Sequence, residues 1–565
     1  MARVAVADPA TAREKLYSDK YTAANFAEIA AAVEQAAPSD ILVELHTNTY
    51  SASAECGDYM ELQVAWPRNA VGTGSLVLKG SDPLAPIALT CHETVVPVTV
   101  TVGHLRWSGR IKKAVDKFGD GPDTVVCELE GDYAWLYKIC AFPNFLLPIQ
   151  VQFPNRGVAI GGAISVIKFL IATQAFRIQS GMWDLVNNLG SLNLDWRTWF
   201  GTWLMQNPGE DLEFQDILDM LTTPIYVVPT VGIFDTSPVI SINWRMDRLA
   251  ELIDQEVKDN GLSVEVNLWK PGEPQPHPTA NLRVPTIVVD VKDRMGVIGP
   301  TGTFFDGILR VLVDLQDSAF GEILKPFLNP DNEYAPDGVV IAPRLGVHFV
   351  KPWCVFSDHP LSGIKGELAH HHPLAHTIIA GGRSPKWMND LINATLSWLL
   401  DSLMIVIGMT GVPSNLLDGM FNDVLLAFQM SQNFDRRVKL GPYGYPEYFV
   451  PTGHAAYNID MFFALKRAQW ETRGYISGKL TFDNGYPYEV GRDVFPGALA
   501  SVVRRGMLYT DYIENVVLTD TRRDRVKVEV QLGDGKAEEA PVTRLQRKAV
   551  KFQEAINILT MAAGQ

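Results

Sequence analysis

The chain has 565 residues, 47% of them apolar and 20% charged, and a formal net charge of −15. That length exceeds one core and predicts about three or four domains, while the ordinary composition excludes large-scale disorder. With no lysine- or arginine-rich block, the acidic balance also excludes specific nucleic-acid binding, which needs clustered positive charge to displace counterions.

In chain order, residues 1–40 read as a polar entry and a helical segment, with Phe26, Ile29 and Val33 at helical spacing and Pro38-Ser39-Asp40 ending it. The opening stretch lacks the apolar core of a secretory signal, so synthesis and folding in a cytoplasm are expected. Across 41–153 the pattern changes to short β-rich runs: Ile41–Leu45, Tyr59–Trp66, Ser75–Leu78, Val95–Val102 and Thr124–Leu129. Turns such as Pro67-Arg68-Asn69 punctuate them, and strands at this spacing predict a small antiparallel barrel or sandwich. An aromatic segment, Gly131-Asp132-Tyr133-Ala134-Trp135-Leu136, opens toward Pro143.

Residues 154–224 read as a helical insertion, apolar over Ile160–Ala172, with Trp183, Val186, Leu189, Trp199 and Trp203 offering further faces to bury. Residues 225–383 read as an α+β domain. Its strands are Ile225–Val228, Val239–Ile242, Ser263–Trp269 and Val284–Val291; its helices are Arg245–Asp259, closed by Asn260-Gly261, and Thr303–Leu315.

The most apolar stretch lies in 384–440. Two arms, Leu391–Ile407 and Leu416–Met430, flank Gly411-Val412-Pro413-Ser414-Asn415 and predict a helical hairpin buried in a core, an oligomer axis or a membrane. The first arm falls short of the ~20 apolar residues of a bilayer crossing and carries Asn393 and Asp401, which favours a core or subunit interface.

Residues 441–541 return to strands after a helix at Tyr457–Trp470. Lys479–Asp483 and Tyr486–Val490 read as a hairpin on Asn484-Gly485, and Ile513–Thr519 and Arg525–Leu532 complete a second small barrel. A basic amphipathic helix fills 542–565; Arg544, Arg547, Lys548 and Lys551 beside Leu545, Val550 and Ile556 suit docking better than a membrane surface. No internal repeat is visible.

The sequence holds no recognisable catalytic or ligand-binding constellation. Gly296-Val297-Ile298-Gly299-Pro300-Thr301-Gly302-Thr303 sits where a phosphate loop would, but its glycine spacing is wrong and no lysine precedes Thr303, so a turn is expected. His370-His371-His372 and His376, near His359 and Glu367, offer imidazoles, but three adjacent histidines cannot all face one way. Cys91-His92 read as strand neighbours facing apart, which rules out a dyad, and Gly474–Gly478 lacks the nucleophile-elbow spacing. The five cysteines, Cys56, Cys91, Cys127, Cys140 and Cys354, are irregularly spaced without a CxxC pair and read as buried thiols, not a disulfide framework. No catalytic, cofactor-binding or metal residue is assigned.

Ser384-Pro385-Lys386-Trp387 followed by Asn389-Asp390-Leu391-Ile392-Asn393-Ala394-Thr395 resembles a signature in minor tail proteins of siphophages infecting actinobacteria, the tail-associated or baseplate hub family. Val288-Val289-Asp290-Val291 leading to Gly299–Thr303 and Asp306-Gly307 is similar, as are Asn484–Tyr488 with Gly491-Arg492-Asp493, and Val530–Pro541. The resemblance runs from about residue 235 to the end; over the first barrel it rests on Trp135-Leu136 and Pro143-Asn144.

The resemblance implies a non-enzymatic virion protein of α+β, multidomain fold, with two small antiparallel hub-like β-barrels at 41–153 and 441–541. It implies a homotrimer at the tail tip, assembled in the host cytoplasm, joining a hexameric tail tube and distal tail protein to three-fold elements. The tape measure protein and other minor tail proteins are further expected partners. Hairpin Leu391–Met430 would then plug the lumen at the three-fold axis or touch the host envelope. Two alternatives remain: a cell-envelope hydrolase, for which no constellation is found, and a receptor binder using Trp269 and Trp353.

Overall fold

A computed structural model of the chain describes residues 41–119, 121–180, 225–294, 297–306, 342–349, 352–358, 362–383, 428–455 and 471–533, with short pieces at 390, 465, 468–469, 547, 550–551 and 553–557. The N-terminal helical segment, the body of the apolar hairpin and most of the helical insertion lie outside the described residues.

The first β region contains β1 (Ile41–His46), β2 (Ser53–Glu55), β3 (Glu61–Pro67), β4 (Thr73–Lys79), β5 (Pro97–Val102), β6 (Leu105–Lys117) and β7 (Thr124–Gly131). Strand β3 shows the cause: Leu62, Val64 and Trp66 alternate with Glu61 and Gln63, so one face is buried and the other is wet. After β8 (Gly157–Gly162) come β9 (Ile225–Val227), β10 (Val239–Trp244), β11 (Leu262–Trp269), β12 (Thr286–Asp293), β13 (Val297–Ile298) and β14 (His348–Phe349). The rest are β15 (Cys354–Ser357), β16 (Lys365–His371), β17 (Thr377–Arg383), β18 (Phe428–Gln432), β19 (Glu447–Ala455), β20 (Tyr475–Asp483), β21 (Leu499–Arg504), β22 (Met507–Asp520) and β23 (Lys527–Leu532).

Two separate barrels were expected, but their strands form one 13-stranded sheet, ordered β16-β20-β23-β22-β3-β4-β7-β6-β5-β1-β2, with β21 and β15 branching from β22. Among the described residues no pairing joins its ends. The seam is β22 against β3, with Val516 opposite Trp66 and Leu518 opposite Val64. One core runs under both regions, from Val43 to Leu532, and includes the fully buried Phe356 between Phe482 and Tyr488.

The pairings also contain a repeat that the sequence hides. β5, a tight turn, the 13-residue β6 and β7 correspond to β21, a tight turn, the 14-residue β22 and β23. Each long strand bulges after its seventh residue, at Ile111 in β6 and Ile513 in β22. A bulge inserts one unpaired residue and bends the strand, which lets one strand serve two sets of neighbours.

Other differences have local causes. Tyr486–Val490 is not a strand: Tyr486 makes only an isolated bridge to Asp483, and Pro487 cannot donate to a ladder. The true neighbours of β20 are β23 and β16, the latter drawn from the expected α+β domain. Residues 157–162 are strand β8 where a helix was expected, because Gly157 and Gly162 lie so close to the Trp244 ring and the Asp235 carboxylate that a Cβ would collide. The helix starts at Ala163, capped from a distance: Asp235 Oδ2 accepts from the Ser165 amide at 2.8 Å, and Ser237 Oγ from the Ile164 amide at 3.0 Å.

That helix, Ala163–Ser180, and helix Leu249–Asp259 pack with β9, β11 and β12 over a second core including Ile167, Leu170, Ile253 and Val289. Gly261, with φ of 62°, ends helix Leu249–Asp259 as its sequence signal predicted. A third, small sheet, β18-β17-β19, covers Ile378, Ala380, Leu465 and Ala468. No helix among the described residues is long and apolar enough to cross a membrane.

Candidate functional site

The loop at Gly299–Thr303 does gather backbone donors around an anion, but the anion is the chain's own. Asp306, almost wholly buried, accepts from the Thr301 amide at 3.0 Å, the Thr301 hydroxyl at 2.7 Å and the Gly302 amide at 2.6 Å. A Cβ on Gly299 would lie 2.3 Å from that carboxylate's carbon, so the glycine admits Asp306 and not a phosphate.

The histidine run is spread over three tyrosines. His371 stacks on Tyr475 with ring centroids 4.1 Å apart, His370 meets Tyr509 edge-on at 5.6 Å, and His372 meets Tyr445 at 6.4 Å. Among the described residues no three metal-type side chains converge. Cys91 and His92 lie in a 3-10 turn, not a strand, and the His92 ring donates to the Leu89 carbonyl. All five cysteines are free; burial pushes the Cys56 and Cys127 thiols up to about 12, while Cys140 is exposed, against expectation. Trp269 is also a correction: it is buried, with its indole N–H on the Pro274 carbonyl at 2.9 Å. Trp353 is half-exposed and edge-on to Phe495.

The best-built polar site is a clamp that fixes β11 against the large sheet. At one end Arg106 forks onto Glu273, at 3.0 and 2.5 Å, and also donates to the Leu268 carbonyl at 2.9 Å. Lys270 lies 2.6 Å from Glu44, and Thr99 donates to the same carboxylate at 3.2 Å. Since the Thr99 proton goes to Glu44, the His46 Nε2 at 2.9 Å must be the donor to Thr99. At the other end Asn69 donates to the Leu262 carbonyl and accepts from the Val264 amide, both at 2.8 Å, while Arg68 pairs with Glu514 at 2.9 Å.

The electrostatics follow from this geometry. Burial alone would raise the Glu44 and Glu273 carboxyls, but Lys270 and Arg106 respectively outweigh it and hold both below the usual range. Burial, reinforced by Lys270, lowers His46 to about 4. Nearby, Asp132 is raised by burial, against the opposing pull of Ser108, Arg110 and Trp135.

The sequence reading missed the clamp, because Glu44 and Lys270 are separated by 226 residues and Arg106 and Glu273 by 167. The turn Pro67-Arg68-Asn69 was its only legible part. Asn69 sits at φ of 53°, a left-handed position that Asn tolerates, and so aims its amide at β11.

The closing helix supplies a second strap. Lys551 lies 2.5 Å from the buried Glu256, Arg547 pairs with the buried Asp259, and Ser241 donates to the Lys551 carbonyl at 2.9 Å. Two acids in helix Leu249–Asp259 are thereby matched by cations four residues apart on one helix face.

The profile of a family described as "Siphovirus ReqiPepy6 Gp37-like protein" matches residues 42–534. No curated protein matches the chain. Among solved structures, a tail protein from Neisseria meningitidis MC58 is 8% identical, with TM-score 0.36, over 88% of this chain and 98% of its own. The 43 kDa tail protein of prophage MuSo2 from Shewanella oneidensis is 9% identical, with TM-score 0.39, over 89% and 98%. Prophage tail protein gp18 from Listeria monocytogenes EGD-e is 9% identical, with TM-score 0.32, over 91% and 100%. At these scores the structural likenesses decide nothing by themselves; the family match spans most of the chain and agrees with the siphophage resemblance drawn from its motifs.

Proposed function

Since the chain belongs to the Siphovirus ReqiPepy6 Gp37-like family, we propose that it is a structural protein of the phage tail, acting as a trimeric hub at the tail tip. In this reading it joins the hexameric tube and distal tail protein to three-fold elements, contacts the tape measure and other minor tail proteins, and closes the lumen until the genome leaves.

The observation that carries the reading is the internal repeat. Two β units, each built on a long strand bulged at its seventh residue, are fused through β22 and β3 over one core. Three such chains present six related units, which is what a six-fold partner above a three-fold one requires. The clamp and the C-terminal strap support it further, since both spend buried charge on holding modules in fixed orientation, as a load-transmitting part needs.

Quantitative mass spectrometry of purified phage particles tests the proposal. About three copies per particle are expected for a single trimeric hub; many copies would indicate a tube or decoration protein, and absence would overturn the reading. A peptidoglycan-release assay on the purified chain tests the hydrolase alternative, and no release is expected.

A further inference from the structure

The seven-residue helix Phe434–Leu440 follows β18 directly and is pinned in rotation. Asn433 caps it by accepting from the Arg436 amide at 2.9 Å, and Arg436 reaches inward to the Ala375 carbonyl, the Thr472 hydroxyl and the Gln469 carbonyl. At about 100° per residue, anchoring Arg436 inward turns Phe434 and Val438 outward together, about 40° apart on the far side. They are accordingly 68% and 80% exposed. Arg437 and Lys439, both exposed, then fall on either side of that ridge. Beyond the helix, Tyr443 and Tyr445 are 98% and 65% exposed, and His372 holds the Tyr445 ring edge-on.

We propose that this ridge is a membrane-contacting surface whose occupant is the headgroup region of an anionic bilayer. An apolar ridge flanked by cations and followed by tyrosines is the composition of a bilayer interface, where aromatic rings sit at headgroup level and Lys and Arg meet acidic lipid. Phe, Tyr and Arg also suit a protein partner, and Lys439 is the residue of the ridge that such an interface disfavours. The local charge also opposes that of the whole chain: two exposed cations bracket the ridge of a protein with net charge −15. The contact is shallow, which agrees with a rigid helix of seven residues that cannot span. It does not depend on where in the virion the chain stands.

Flotation of the full chain with vesicles of phosphatidylglycerol and phosphatidylcholine in equal parts, against phosphatidylcholine alone, tests the proposal. Binding to the acidic vesicles is expected, with at least about a tenfold loss for the double variant Arg437→Glu, Lys439→Glu, and screening by salt. Phe434→Ser with Val438→Ser should lose binding to both vesicle types. Since all four side chains are exposed, the variants should keep the parent's thermal midpoint, and a Phe434→Trp chain should show blue-shifted emission on acidic vesicles. Failure to bind acidic vesicles, or binding indifferent to the four residues, would overturn the proposal. So would a change in native size of the serine variants without lipid, which would make the ridge a protein interface.

Discussion

The two β units bend their long strands at the same place and then use them for opposite ends. Past its bulge β6 is the outer edge of the β4-β7-β6 layer: Lys112, Lys113, Asp116 and Lys117 are exposed, Ala114 packs on the core, and β7 is its one paired strand. Past its bulge β22 runs into the middle of the molecule, where Val516 and Leu518 are fully buried and the strand carries both β23 and the β3 seam. The flanking strands differ as well, since β1 lies antiparallel to β5 and β15 lies parallel to β21. The same local geometry therefore makes an outer edge in one unit and the joint of the molecule in the other. What a strand is worth depends on which faces its neighbours cover, not on its own propensity.

Deleting one residue at each bulge should break this comparison most sharply. Removing Glu514 deletes the unpaired bulge residue, which keeps Val516 and Leu518 on the core face but straightens the strand at the β3 seam and takes away the partner of the buried Arg68 guanidinium, so a loss of about 3–5 kcal/mol by chemical denaturation is expected. Removing Lys112 straightens only the outer edge of β6 and should cost about 1–3 kcal/mol by the same measurement. Equal losses at both sites would refute the division of labour.

The clamp provides the next test, since its Arg106 end holds the first unit to β11. Arg106→Ala leaves Glu273 without its bidentate partner and strips a donor from the Leu268 carbonyl; a loss of about 2 kcal/mol is expected, with Lys113→Ala as control. A smaller effect belongs to pH. His46 titrates near 4 in the folded chain and at 6.5 unfolded, so between those values the unfolded chain binds the extra proton. Stability should therefore fall as pH drops from about 6.5 to 4, by about 1–2 kcal/mol after allowing for solvent screening. His46→Gln should flatten that part of the thermal-midpoint profile while leaving the steeper loss below it, where Glu44 and Glu273 give up their partners. The smallest effect is expected for Lys113→Ala itself, an exposed pair with Glu128 at 3.2 Å, at about 0–1 kcal/mol. A large loss there would mean that this edge is covered by a partner.

Several features were legible from residues alone because their causes are local. Alternation marked β3, β4, β7 and the core of β23, and Asn260-Gly261 marked a helix end, since side-chain period and positive φ are properties of a few adjacent residues. The phosphate-like loop was set aside on its spacing alone, and the sequence could not reveal that Asp306 fills it. β8 was misread because its glycines answer to Trp244 and Asp235, neither of them adjacent in sequence. The repeat was invisible because a bulge and a pairing order leave no residue signature: Ile111 and Ile513 match in position while their neighbours share almost nothing.

The sequence by itself determined the α+β class, the two β-rich regions and the phage family, all of which rest on composition, short-range period or contiguous motifs. Tertiary structure alone decided that the two regions are one sheet, that β15 and β16 belong to it, and that Glu44 meets Lys270 across 226 residues. The physical reason is one of range. A residue's own chemistry fixes whether it seeks burial or charge compensation, but which partner satisfies it depends on chain segments brought together only when the whole core closes.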